Sequence, residues 1–265
     1  MHSRKVRWLT LFAAITCLLW IAGLGWAAKD YLLGNASGLV TTVETDEAPP
    51  PEPDTFRIVA LGDSLTRGMG DNEGKGYVGY AADRLKEEGW NLSVVNLGIK
   101  GLTSAELLKQ LEQKEIRRQL GEADAVMMTI GANDLFMGGE TLSRFTEESI
   151  GKLEDGFLTR LNGILAAVRE LNPEADVYVL GLYDPFAELE QGAETSRVVR
   201  EWNHKTMEAA AGYPGTVFVP VYDLFQRKVG DYLFTDRFHP NEKGYKLMAE
   251  RVAGLIDESE GGPQA

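Results

Sequence analysis

Cysteine occurs once in these 265 residues, as Cys17, and histidine three times, as His2, His204 and His239. A single cysteine excludes an intrachain disulfide and a cysteine-rich zinc site. Basic residues are also in deficit, 27 against 40 acids. Three of the 27 (Arg4, Lys5 and Arg7) and none of the acids fall in the first 28 residues, so the remainder carries −16. Nothing in so acidic a domain offsets phosphate repulsion, which argues against a nucleic-acid partner. Internal repeats are absent. The length suits one sizeable α/β domain with appendages and is short for two.

Charge is missing altogether from Leu9 to Ala28. At about 1.5 Å per residue, such a helix spans roughly the 30 Å hydrocarbon core of a bilayer. Residues 9–28 are therefore expected to be a transmembrane signal anchor behind a cytoplasmic tail, 1–8. The flanking Arg4, Lys5 and Arg7 put the rest of the chain outside. Gly25-Trp26-Ala27 offers a cleavage site, which would make the domain a secreted one instead. Cys17 follows Ala14-Ile15-Thr16, without the small residue that a lipoprotein cysteine needs immediately before it. Residues 29–55 end in the acidic, proline-rich run Glu44 to Asp54 and read as an extended linker. The globular domain is expected over 56–258, with a flexible tail over 259–265.

Within the domain, apolar runs alternate with helical spacings. Strands are expected at Ile58–Leu61, Leu92–Leu97, Ala125–Ile130, Asp176–Leu180 and Val217–Val221. Helices are expected at Tyr77–Glu88, Thr103–Leu120, Thr146–Leu171 (interrupted near Gly151 and Gly156), Thr195–Ala211 and Asn241–Ile256. Thr103 with Glu106 makes a capping box. This alternation predicts a parallel sheet with helices on both faces, whose ligands bind beyond the carboxyl ends of the strands.

Chemistry-bearing residues fall at those strand ends. Ile58–Leu61 runs into Gly62-Asp63-Ser64-Leu65, a turn that presents a serine. A serine hydroxyl needs a base, usually histidine. His2 precedes the anchor, and His204 sits among polar neighbours on a helix, as a solvated residue would. His239 remains, in Asp236-Arg237-Phe238-His239-Pro240. The three-residue spacing can bring the Asp236 carboxylate to the imidazole Nδ1, leaving Nε2 for Ser64. Pro240 suits a first helical position. Asn96-Leu97-Gly98-Ile99-Lys100-Gly101 and Gly131-Ala132-Asn133-Asp134 close the next two strands, and both offer donors for an oxyanion. Each motif alone is equally well explained as turn chemistry.

Taken together, these four motifs resemble those of the SGNH hydrolases, or GDSL esterases and lipases, over about Phe56–Ile256. The resemblance implies a flavodoxin-like three-layer α/β/α sandwich with a five-stranded parallel sheet in the order 2-1-3-4-5. It implies Ser64 as nucleophile, His239 as base and Asp236 as its orienter. The oxyanion donors would be the Ser64 and Gly101 N–H groups and the Asn133 side chain. Ala132 stands where many members have glycine. Anchor, linker and domain in this order look like membrane-tethered acylhydrolases of Gram-positive bacteria. Leu135, Phe136 and Met137 after the third strand, and Pro185 and Phe186 after the fourth, are expected to rim the acyl pocket. No cofactor or metal is called for. The partners would be a small-molecule, lipid or glycan ester and, through the N-terminal helix, the membrane.

Three other readings compete. Asp63 and Asp134 at neighbouring strand ends could hold Mg²⁺, although bonding to loop backbone explains them too. The domain could be a carbohydrate O-acetylesterase acting on wall glycan. It could also be a non-catalytic surface module, which would not need all four motifs. Gly70–Gly76 mimics a phosphate loop but has the wrong spacing and lacks the hydroxyl residue.

Overall fold

The computed structural model describes residues 16, 20, 55–136 and 146–261. The expected anchor (apart from Thr16 and Trp20), the linker (apart from Thr55) and Met137 lie outside them. Among the described residues no helix is long and apolar enough to cross a membrane.

Five strands form one parallel sheet: β1 (Phe56–Gly62), β2 (Leu92–Asn96), β3 (Ala125–Thr129), β4 (Asp176–Leu180) and β5 (Thr216–Val219). They lie in the order β2-β1-β3-β4-β5, as expected. Because side chains alternate along a strand, β1 feeds two cores. Val59 and Leu61 face one, Ile58 and Ala60 the other. The first face is covered by α3 (Ser104–Gln110), α4 (Lys114–Gly121), α5 (Ala132–Phe136), α6 (Glu147–Leu171) and α7 (Gly192–Ala211). The second is covered by α2 (Gly76–Glu87), α8 (Tyr222–Phe225), α9 (Val229–Tyr232) and α10 (Glu242–Glu260). The short α1 (Ser64–Arg67) follows β1 directly. All five residues of the central β3 are buried, which explains a continuous apolar run rather than an alternating one.

Several expected boundaries shift for identifiable reasons. The helix expected over Thr103–Leu120 is two helices, broken at Leu111–Gln113. At about 100° per residue, one continuous helix would carry Ile116 and Leu120 away from the face that holds Leu107 and Leu111. The break lets all four enter the same core. The opposite holds for α6, which runs unbroken through Gly151 and Gly156. Its stripe of Ile150, Phe157, Leu161, Ile164 and Val168 is buried, and that packing outweighs about 1 kcal/mol of helix propensity per glycine. Strand β5 stops at Val219 because Pro220 has no N–H for the ladder; Val221 instead leads into α8. Pro240 is not the first helical residue. It forms an antiparallel bridge with Leu233, and Asn241 caps α10 by accepting from Gly244 N–H at 3.1 Å. The last helix also runs beyond Ile256 to Glu260, and the Ser259 hydroxyl lies 2.7 Å from that of Tyr178, so residue 259 does not begin a tail.

Two glycines should respond oppositely to alanine. A Cβ on Gly151 would meet nothing within 4 Å, so Gly151→Ala should stabilise the fold by about 0.5–1 kcal/mol. At Gly62, with φ +126°, a Cβ would fall 2.0 Å from the Thr129 carbonyl oxygen. Gly62→Ala should cost about 3 kcal/mol or more, because the obstacle is backbone. Denaturant titration of both variants checks this; a mild effect at Gly62 would refute the tight β1–β3 approach.

Candidate active site

Ser64 opens α1, immediately after β1. Asp63 is the cap: its side chain accepts the Leu65 N–H at 3.0 Å, and its own N–H donates to the Thr129 carbonyl at 3.1 Å. Thr129 Oγ1 also donates to Asp63 Oδ1 at 2.9 Å and lies 2.7 Å from Thr66 Oγ1. The serine turn is thus bolted to the neighbouring strand. Burial raises the Asp63 carboxyl to about 6, against the lowering effect of the bonds from Leu65 and Thr129.

His239 reaches Ser64 from 175 residues away: Nε2 lies 2.8 Å from Oγ. Its Nδ1 lies 2.7 Å from Asp236 Oδ2, while Asp236 Oδ1 accepts the N–H groups of Phe238 and His239 at 3.0 Å each. Burial alone would raise the Asp236 carboxyl, but the bonds from the His239 ring and these two N–H groups hold it below the usual range. The turn that permits this needs Arg237 at φ +54°, the one non-glycine residue with positive φ among those described. Backbone bonds lock the loop, Phe234 N–H to His239 O at 2.8 Å and Asn241 N–H to Tyr232 O at 2.8 Å. Beneath it lies Gly70, where a Cβ would sit 2.5 Å from Pro240 O and 2.9 Å from His239 Cβ.

The donor candidates converge on the same place. Ser64, Gly101, Asn133 and His239 share one cavity of about 800 Å³. Ser64 N–H, at the first helical position, has no intrahelical acceptor. Gly101 is left-handed at φ +76°. One hydrogen of Asn133 Nδ2 goes to the Leu102 carbonyl at 2.9 Å, which leaves the other. Asn96 links the two loops below, donating to Thr66 O at 2.7 Å and accepting from Gly98 N–H at 3.0 Å.

Pro185 and Phe186 line the cavity as expected. Leu135 and Phe136 do not; both are buried in the core, since the α5 turn points them inward. Phe136 instead backs the wall, its ring 5.1 Å from that of Phe186 and 6.2 Å from that of Phe238. Most of the remaining wall has no local sequence signature. Leu189, Val229, Leu233, Phe234 and Phe238 come from the segments after β4 and β5, where helical periodicity gives no sign of a pocket. Phe234 and Phe238 flank Asp236 in sequence, which was the available hint. His204 is exposed on α7, 3.6 Å from Glu208. Asp63 and Asp134 both bond to backbone, at Leu65 and Ser104. Among the described residues no group of three potential metal ligands occurs.

A family model described as the GDSL-like lipase/acylhydrolase family matches residues 60–247. YpmR, an uncharacterized protein of Bacillus subtilis (strain 168), is 36% identical over 213 residues, covering 78% of this chain and 83% of its own length. The spore germination lipase LipC of Bacillus licheniformis is 30% identical over 208 residues, covering 75% of this chain and 95% of its own. Among solved structures, the lipase Lip_vut3 from a goat rumen metagenome superposes with a TM-score of 0.68 at 26% identity, over 75% of this chain and 96% of that one. Fold and relatives together define an ester hydrolase. The chain belongs to the GDSL-like lipase/acylhydrolase family.

The raised Asp63 carboxyl has a consequence for stability. A carboxyl that holds its proton more tightly when folded favours the fold at low pH, and that contribution is lost as pH rises from near 4 through about 6. Asp63→Asn keeps an acceptor oxygen and cannot ionise. The melting temperature of the variant relative to the parent should therefore climb between pH 4 and 6 and level off above. A flat difference across that range would show that Asp63 ionises without penalty.

Proposed function

We propose that the chain cleaves carboxylic esters through an acyl-enzyme on Ser64. The observation that carries this is the continuous line of contacts from Asp236 Oδ2 to His239 Nδ1 and from Nε2 to Ser64 Oγ, at 2.7 and 2.8 Å. His239 Nε2 takes the hydroxyl proton as Oγ attacks the acyl carbon. Asp236 accepts the Nδ1–H, holding the tautomer and stabilising the imidazolium. Charge developing on the carbonyl oxygen meets the Ser64 and Gly101 N–H groups and the free hydrogen of Asn133 Nδ2. His239 returns the proton to the leaving alkoxide, then activates water to release the acid. Phe186, Leu189, Leu233, Phe234 and Phe238 provide an apolar wall that supports an acyl group longer than acetyl, and hence an acylhydrolase over an O-acetylesterase.

Turnover of p-nitrophenyl esters of increasing acyl length tests this. Ser64→Ala and His239→Ala should each lower kcat by about 10⁴–10⁶-fold, and the pair scarcely more, since such residues act as a unit. Asp236→Asn should be severe as well. Asn133→Ala should cost about 10²–10³-fold, mainly in kcat. kcat/KM should rise from acetyl to longer acyl groups in the parent; a preference for acetyl would favour the O-acetylesterase. Turnover persisting in folded Ser64→Ala would end the serine mechanism.

We further propose that the domain works outside the cytoplasm, tethered by residues 9–28. The uncharged run and the cations before it support this. The full chain should stay with membranes through an alkaline wash. A soluble product starting near Ala28 would point to a cleaved signal.

A further inference from the structure

Behind the oxyanion donors lies a buried polar cluster that takes no part in the proton transfers. Asp134 follows Asn133 in α5, and its side chain is 4% exposed. Its Oδ2 accepts the Ser104 N–H at 2.9 Å, while Oδ1 accepts the Ser104 hydroxyl at 2.5 Å and the Arg160 guanidinium at 3.0 Å. Arg160 Nε donates to the same Ser104 hydroxyl at 2.7 Å. Arg160 comes from α6, and Gly156 one turn earlier leaves it room: a Cβ there would lie 3.1 Å from a guanidinium nitrogen. Ser104 is fully buried and opens α3, three residues after Gly101.

Consecutive residues of one turn therefore grip one loop. Asn133 holds it at the Leu102 carbonyl, and Asp134 holds it at Ser104. A buried carboxylate is a poor way to stabilise a core, since apolar side chains of similar size commonly do as well or better. Its directional bonds do something that packing cannot, which is to fix the distance between two loops. Oxyanion stabilisation depends on donors held within a few tenths of an ångström of their productive places.

We propose that Asp134 is a positioning residue that sets the spacing between the Gly101 N–H and the Asn133 amide, acting through Ser104 and braced by Arg160. This rests on the oxyanion role of those two donors. Misplaced donors lose the transition state more than the bound ester, so the effect belongs in kcat.

Kinetics on the full chain test it. Asp134→Asn is nearly isosteric, but its NH₂ must face a donor. It should lower kcat by about 10–100-fold with KM changed less than about 3-fold. Ser104→Ala keeps the backbone bond and removes the hydroxyl link, and should give a smaller loss of the same kind; it carries the test if Asp134→Asn does not fold. Affinity for a phosphonate or boronic acid transition-state analogue should fall in step with kcat. Combined with Asn133→Ala, either change should add little, because the donor it aligns is gone. Additive losses, or an effect confined to KM or melting temperature, would overturn the positioning role while Asn133 kept its own. A near-parental kcat in Asn133→Ala would instead overturn the oxyanion reading, and this inference with it.

Discussion

The site depends first on how closely β1 can approach β3 at its carboxyl end. Gly62 lies against the Thr129 carbonyl, where no side chain fits. That oxygen then receives the Asp63 N–H, and the Thr129 hydroxyl engages Asp63 and Thr66. The chain leaves the strand already turned, with Ser64 at the start of a helix whose cap is anchored to a neighbouring strand. A serine on a freely moving loop would pay ordering entropy each time it engaged a ligand. Here folding has already met that cost.

His239 arrives by a different principle. No strand end presents His239; it sits on a loop between α9 and α10 that makes its own backbone bonds and is seated on Gly70. Tyr183, beyond β4, donates its hydroxyl to the Phe238 carbonyl, and Tyr245 of α10 donates to the Met69 carbonyl at 2.6 Å. Ser64 and His239, 175 residues apart in sequence, meet side chain to side chain, while the segments that carry them are held by these bonds to backbone atoms.

Much of this was legible in the residues. A buried strand running into Gly-Asp-Ser has a physical signature, and with three histidines in the chain the search for one to set beside Ser64 is short. The Asp236–His239 spacing closed on Nδ1 as local geometry allows. Tertiary effects were not legible. Nothing local says that Leu111 and Ile116 must share a face, so the split between α3 and α4 has no local signature. Packing overrode the glycines of α6. Leu135 and Phe136 lie in the core rather than at the pocket, a choice the residues leave open because apolar positions after a strand serve a pocket wall and a core equally well. The use of Asp134 was hidden because its partners, Ser104 and Arg160, lie 30 and 26 residues away.

The placement of the tryptophans has a spectroscopic consequence. Residues 55–261 hold two of the five, Trp90 and Trp202. Trp202 is 1% exposed, stacked on Phe157 at 4.6 Å in the core on one face of the sheet. Trp90 is half-buried beside Phe56 on the other face and donates to Asp257 at 3.2 Å. Each helical layer therefore carries its own fluorophore, one dry and one partly wet. In a fragment spanning residues 55–261, free of the other three tryptophans, emission at shorter and longer wavelengths reports on opposite sides of one sheet, so a single spectrum recorded during unfolding can tell whether the two layers come apart together.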